Sequence, residues 1–194
     1  MRWMRAHDLL QDLGVERLED IDIEQACREA SQDEVVEAVN FNAPGQVVIA
    51  GHTAAVARAI EIATAKGARR ALALPISVPA HSSLMQPAAE QLRVRLENTA
   101  FTPAPGVAVY GVDIKRHAAA EGIRAGLVKQ LYTPVYWAAT VRTMIAAGAT
   151  QIVECGPGKI LTGLNRRVDK NRDLKMMALE DPLALEDALA AVSG

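Results

Sequence analysis

The stretch VVEAVNFNAPGQVVIAGHTAAVARAIEIATAKGARRALALPI, residues 35–76, reads as strand, turn, strand, helix and strand. Val35–Phe41 and Gln46–Ala50 are apolar runs of strand length. Asn42-Ala43-Pro44-Gly45 between them is a turn with a mechanism, because proline presets φ and glycine tolerates positive φ. The pair is predicted to be an antiparallel hairpin. Val56, Ala59, Ile60 and Ala63 recur at helical spacing, Thr53 can cap that helix and Gly67 can stop it. Arg69–Ile76 reads as the next strand. Upstream, Asp22 precedes a helical stretch through Ala30. The order is that of a split βαββαβ unit without its first strand. Residues 1–20 offer Trp3, Leu9, Leu10, Leu13, Val15 and Leu18 as a short helical face with weak caps, and no strand before Ile23.

The alternation continues downstream. Met85, Ala88, Leu92 and Leu96 mark one face of a helix, and Val107–Tyr110 is a short strand. Ile123–Leu131 and Tyr136–Ala147 are helical, separated by Pro134 and ended by Gly148. Gln151–Glu154 is a strand, Gly156-Pro157-Gly158 a tight loop and Lys159–Val168 a helix. Leu174–Ala178 is the last strand, and Pro182–Val192 a final helix with proline in its first turn. The fold class is α/β, with no internal repeat.

Half of the 194 residues are hydrophobic, enough for a sizeable core. Aromatics are few, so that core is built from Ala, Val, Leu and Ile. A net charge of -2 gives no electrostatic footprint for nucleic acid. No apolar run has the length of a membrane span. MRWMRAHDLLQDLG lacks a long apolar stretch after its charges, so no secretory signal is expected. Cys27 and Cys155 are far apart without CxxC spacing, which fits two thiols in a reducing cytoplasm.

Ser77-Val78-Pro79-Ala80-His81-Ser82-Ser83-Leu84-Met85 places a histidine on a turn between an apolar strand and an amphipathic helix. Such a turn is fixed at both ends while the imidazole stays reachable, which suits a general base. A surface histidine is the plain alternative there, and His7, His52 and His117 are expected to be solvated. Gly156-Pro157-Gly158-Lys159 opens a helix whose free N–H groups could hold an anion, but it lacks P-loop spacing, and a tight strand-to-helix turn is the favoured reading. Asn40, Asn42 and Gln46 bracket the hairpin turn. Lys66, Arg69 and Arg70 form a small basic cluster, either a solvated face or a contact for an acidic partner. A serine acyltransferase of the α/β type presents its nucleophile on G-x-S-x-G. Gly51-His52-Thr53-Ala54-Ala55 imitates only the start of that elbow, and Ser82 and Ser83 lie on none.

Four segments resemble the malonyl-CoA:acyl-carrier-protein transacylase family: VNFNAPGQVVIAGH at 39–52, ALALPISVPAHSSLM at 71–85, LVKQLYTPVYW at 127–137 and VECGPGKILTGL at 153–164. They stand in the family's order and spacing from about Ile23 onward. The resemblance implies an incomplete ferredoxin-like small subdomain over 21–77, its first strand missing or replaced. The C-terminal part of a large α/β hydrolase-like acyltransferase subdomain would follow over 78–194, with residues 1–20 unmatched.

By the same resemblance His81 is the catalytic base, and the backbone carbonyl of Gln130 orients it. Asn42 matches a residue near the acyl site. Lys66, Arg69 and Arg70 are candidates for contact with the carrier protein. The implied reaction moves malonyl from malonyl-CoA to the phosphopantetheine thiol of acyl carrier protein through a serine ester, in the cytoplasm, without metal or bound cofactor. The family's G-Q-G-x-Q oxyanion loop, its G-H-S-x-G elbow and the arginine that pairs with the malonyl carboxylate are absent from these 194 residues. The chain by itself is therefore expected to be inactive and to expose apolar surface. A non-catalytic module that binds carrier protein or coenzyme A is the alternative from another class. A polyketide synthase acyltransferase fragment is a third reading, against which Val78-Pro79-Ala80 speaks.

Overall fold

The first sheet is built around a strand that no sequence signal announced. The structure, a computed structural model, describes residues 2–7, 18–69, 71–74 and 78–193, with secondary structure alone for 2–7, 72, 73, 192 and 193. Chain packing divides it into two compact units, 1–137 and 138–194. The subdomain boundary expected at Ser77/Val78 lies inside the first of them.

The first unit begins with β1 (Arg2–His7), α1 (Asp20–Ser31), β2 (Val36–Ala43), β3 (Gln46–Gly51), α2 (Thr53–Ala65) and β4 (Ala71–Leu74). The strands form one antiparallel sheet in the order β2-β3-β1-β4. The expectation of a missing first strand is corrected: β1 pairs Trp3 with Ala50 on one side and Leu74 on the other. The helical face expected for residues 1–20 fails at this strand, and its leucines at 9, 10 and 13 lie outside the described residues. β1 escaped notice because RWMRAH has neither alternation nor β-branched residues; its pairing with two neighbours decides its state, not propensity.

The hairpin forms as predicted, with Gly45 at φ 68 in its turn. Asp22 accepts from the Glu19 N–H at the start of α1, and Gly67 at φ 99 follows α2. Thr53 does not cap α2; His52 is the N-cap residue. One sheet face packs Val36, Ala38, Phe41, Val47 and Ile49 against Ile23, Ala26, Cys27 and Ala30 of α1 and Ala55, Val56, Ala59 and Ala63 of α2. This buried surface is made of small aliphatic side chains, as composition implies. Strand alternation sends Val39, Val48 and Ala50 to the opposite face, where Leu74 and Ala80 cover them. That second face carries the candidate site.

A single 3-10 turn, Ser83–Met85, leads into α3 (Gln86–Glu97), followed by the two-residue strands β5 (Val109–Tyr110) and β6 (Arg116–His117) and by α4 (Ala120–Lys129). The second unit holds most of α5 (Trp137–Ala146), then β7 (Gln151–Glu154), α6 (Ile160–Val168), β8 (Lys175–Ala178) and α7 (Pro182–Ser193). β7 and β8 pair in parallel with α6 between them, a βαβ unit. Ile160, Leu183 and Leu189 remain 73%, 66% and 58% exposed.

Candidate active site

His81 is held by two consecutive carbonyls that α4 cannot use. The last carbonyls of a helix lack intrahelical donors. Gln130 caps α4 at its C-terminus, and its carbonyl oxygen lies 2.5 Å from His81 Nδ1. The next carbonyl, that of Leu131, accepts the His81 backbone N–H at 2.7 Å. A carbonyl oxygen only accepts, so Nδ1 carries the hydrogen and Nε2 keeps its lone pair. Nε2 is thus the nitrogen that can take a proton, on a half-buried ring. The His81 backbone sits at φ 66, in the left-handed region.

The rest of the loop is tied down residue by residue. Pro79 is buried, and its carbonyl accepts the Ser82 hydroxyl at 2.6 Å. Ser82 is fully buried (0% exposed), so its oxygen is out of reach of any acyl donor. Ser83 gives its N–H (2.8 Å) and its hydroxyl (2.7 Å) to the two carboxylate oxygens of Glu37 on β2. Neither serine beside His81 is available as a nucleophile.

Residues 132–136 complete the arrangement. Val135 bridges to β2 by accepting from Phe41 N–H at 2.8 Å and donating to the Val39 carbonyl at 2.9 Å. Tyr136 stacks on Phe41 with centroids 4.8 Å apart. Burial raises the Tyr136 pKa, with the Glu24 charge adding to it. Three of the four motifs quoted above therefore meet around β2, which supplies Glu37 to the His81 loop and Val39 and Phe41 to the 132–136 segment.

Other sequence candidates fall elsewhere. Asn42 is half-buried where the β2–β3 register shifts between Phe41 and Ala43, and no hydrogen bond joins it to His81. Lys66 is engaged by Glu29 at 2.8 Å. Arg69 has partners of its own, and Arg70 lies outside the described residues. His52 and His117, expected to be solvated, are half-buried and bonded. His52 Nδ1 accepts the Val35 N–H at 2.9 Å, and His117 Nε2 donates to Asp113 at 3.0 Å. The His117 bond, with smaller help from the Lys115 N–H, lowers the Asp113 pKa. Gly51 must be glycine, since a Cβ there would stand 2.1 Å from the Val35 carbonyl. The resemblance of 51–55 to a nucleophile elbow thus reflects strand packing.

The start of α6, read as a tight turn that could also hold an anion, already has the chain's own carboxylate there. Glu154 accepts the N–H groups of Leu161 (3.0 Å) and Thr162 (2.7 Å) and the Thr162 hydroxyl (2.8 Å). Burial pushes the Glu154 carboxyl up, but these bonds outweigh it and leave its pKa lowered. Among the described residues no cluster of three or more His, Cys, Asp or Glu could hold a metal ion. Cys27 is buried, and burial with the charges of Glu24 and Glu37 pushes its thiol up to about 12, so it is no nucleophile. None of the described helices is long and apolar enough to cross a membrane.

Sequence reading named His81 and, through the family resemblance, Gln130; it did not name Glu37, Leu131 or Val135, which the structure places against them. Glu37 carried a signal: it is the lone charge inside the apolar run VVEAV. The backbone groups at 131 and 135 carried none, because any residue supplies them.

His81 thus sits half-buried on a fixed turn, with its backbone N–H and its Nδ1 each held by a carbonyl. Residues 9–179 match the acyl transferase domain family, and the chain belongs to it. It is 48% identical over 172 residues to the malonyl CoA-acyl carrier protein transacylase of Escherichia coli K12, covering 89% of this chain and 55% of that protein. The crystal structure of malonyl-CoA:acyl carrier protein transacylase from Xanthomonas oryzae superposes with a TM-score of 0.86 at 39% identity, over 98% of this chain and 57% of that one. A malonyl-transacylase in complex with its type II polyketide acyl-carrier protein gives 0.87 at 42% identity, over 98% and 58%. The chain thus spans about half the length of the relatives it matches. The match begins at residue 9, earlier than the Ile23 expected from motifs alone.

Proposed function

We propose that this chain carries the base-bearing part of a malonyl-CoA:acyl-carrier-protein transacylase. The single observation that supports it is the 2.5 Å bond from His81 Nδ1–H to the Gln130 carbonyl, which leaves Nε2 as a proton acceptor. In the proposed reaction a serine hydroxyl, supplied from outside these 194 residues, attacks the thioester carbonyl of malonyl-CoA while His81 Nε2 takes its proton. The carbon–sulfur bond breaks, and coenzyme A leaves with that proton as the free thiol. His81 then takes the proton of the phosphopantetheine thiol on acyl carrier protein, whose sulfur attacks the serine ester. The serine oxygen recovers the proton as the malonyl group departs.

The β1-to-β4 sheet is read here as the ferredoxin-like subdomain and the residues from 78 onward as part of a hydrolase-like subdomain. The order β-α-β-β-α-β and the solved relatives support that reading. Asn42 is kept as a residue near the acyl group, and Lys66, Arg69 and Arg70 as a weak carrier-protein contact. No G-x-S-x-G lies in the sequence and both loop serines are engaged, so the chain alone is expected to transfer no malonyl group.

The test is a chimera in which residues 18–194 replace the matching part of the Escherichia coli transacylase. Transfer of malonyl to holo-carrier protein by the chimera, and not by the 194-residue chain, is the expected result. His81→Ala in the chimera should lower the rate about 100–10,000-fold. Undiminished transfer in His81→Ala, or rapid transfer by the isolated chain, would overturn the reading.

A further inference from the structure

We propose that Glu37 is a positioning residue for His81, acting through Ser83; the proposal rests on the reading of His81 as the base. β2 alternation puts Glu37 on the sheet face opposite the helices, the face that Ala80 covers. There its two carboxylate oxygens meet two donors of one residue, the Ser83 N–H at 2.8 Å and the Ser83 hydroxyl at 2.7 Å. A two-point, charge-assisted grip fixes orientation as well as position. Ser83 is two residues beyond His81. On the other side of the ring, the carbonyls of Gln130 and Leu131 hold Nδ1 and the backbone N–H of His81.

The loop is therefore clamped at both ends, and the clamps share a foundation. Glu37 belongs to β2, and so do Val39 and Phe41, which bridge to Val135 just past the two carbonyls. His81 is held in a left-handed conformation that is uncommon for a non-glycine residue. Releasing Ser83 lets the backbone at 81 relax, and relaxation moves Nδ1 away from Gln130. Without that acceptor the ring has no reason to keep its hydrogen on Nδ1. Glu37 thus controls which nitrogen of His81 is the base, although it touches neither the ring nor a reacting atom.

The experiment is ring-nitrogen NMR on the full chain labelled with 15N-histidine. The four histidines are assigned by single substitutions. In the parent chain His81 should show hydrogen on Nδ1, slow to exchange with solvent. In a folded Glu37→Ala that signal should be lost, with exchange faster by about tenfold, the equivalent of one hydrogen bond. Glu37→Gln should restore it, because the amide oxygen accepts the Ser83 N–H while its NH2 group donates to the Ser83 hydroxyl. A folded Glu37→Ala with an unchanged His81 ring overturns the proposal. If Glu37→Ala fails to fold, Ser83→Ala gives the same decision: faster Nδ1–H exchange supports the proposal, and unchanged exchange overturns it. The readout needs no acyl transfer, so undiminished transfer in the His81→Ala chimera would sink the base assignment and leave this result standing.

Discussion

The turns after β3 and after β4 each place a histidine ahead of a helix, and the two rings end in opposite tautomers. His52 Nδ1 lies 2.9 Å from the Val35 N–H, which can only donate, and 3.3 Å from the Val35 carbonyl; the shorter bond places its hydrogen on Nε2. His81 Nδ1 donates to the Gln130 carbonyl, so its lone pair is on Nε2. Residue type and place in the chain are the same; the partner is not. A donor opposite Nδ1 places the ring hydrogen on Nε2, and an acceptor places it on Nδ1.

The difference breaks hardest at the chemistry. His81→Ala in the chimera is expected to cost about 100–10,000-fold in rate, whereas His52→Ala should leave kcat within a few-fold of the parent. Comparable losses at both positions would erase the distinction. His52→Ala leaves the Val35 N–H without its acceptor, expected to cost about 1–3 kcal/mol, read from urea unfolding. His52→Asn should recover part of it, since the side-chain oxygen accepts from the same N–H.

The turn before α6 sharpens the rule, because there the loop's ligand is the chain's own carboxylate. Glu154→Ala removes the acceptor for two first-turn N–H groups and should cost about 1–2 kcal/mol. Faster hydrogen exchange at Leu161 and Thr162 is the accompanying sign. The Glu154 pKa is lowered by folding, so its contribution is full above the unfolded carboxyl range near 4 and is lost as pH falls through the folded value. The smallest effect is at Asp113, whose pKa is likewise lowered, by His117 first. Its contribution, about 0–1 kcal/mol for a partly exposed pair, should vanish on acidification below pH 4. Asp113→Asn should flatten that part of the melting-temperature profile.

Much of this was legible in sequence where local rules dominate. The hairpin at 36–51 followed from Pro44 and Gly45, and β7, α6 and α7 from periodicity and their breakers. β1 was not legible, because RWMRAH is a strand only by virtue of pairing with β3 and β4 on either side. In the site, His81 stood out by its place on a turn between an apolar strand and an amphipathic helix, stiffened by Pro79. The Gln130 carbonyl was reached only through a family resemblance. Leu131 and Val135 act through backbone atoms that every residue owns, so no side chain could advertise them. Glu37 was visible as an odd charge in an apolar strand, but its use depends on a serine 46 residues away.

The left-handed backbone at His81 also sets what the residue costs to keep. A non-glycine residue in that conformation gives up about 1–2 kcal/mol. Removing the imidazole forfeits the Gln130 bond whatever replaces it, but only glycine also releases the strain. His81→Gly should therefore be more stable than His81→Ala by about 1 kcal/mol, with both equally dead in the chimera. The gap between these two melting curves measures how much folding energy the chain gives up to hold His81 in that conformation.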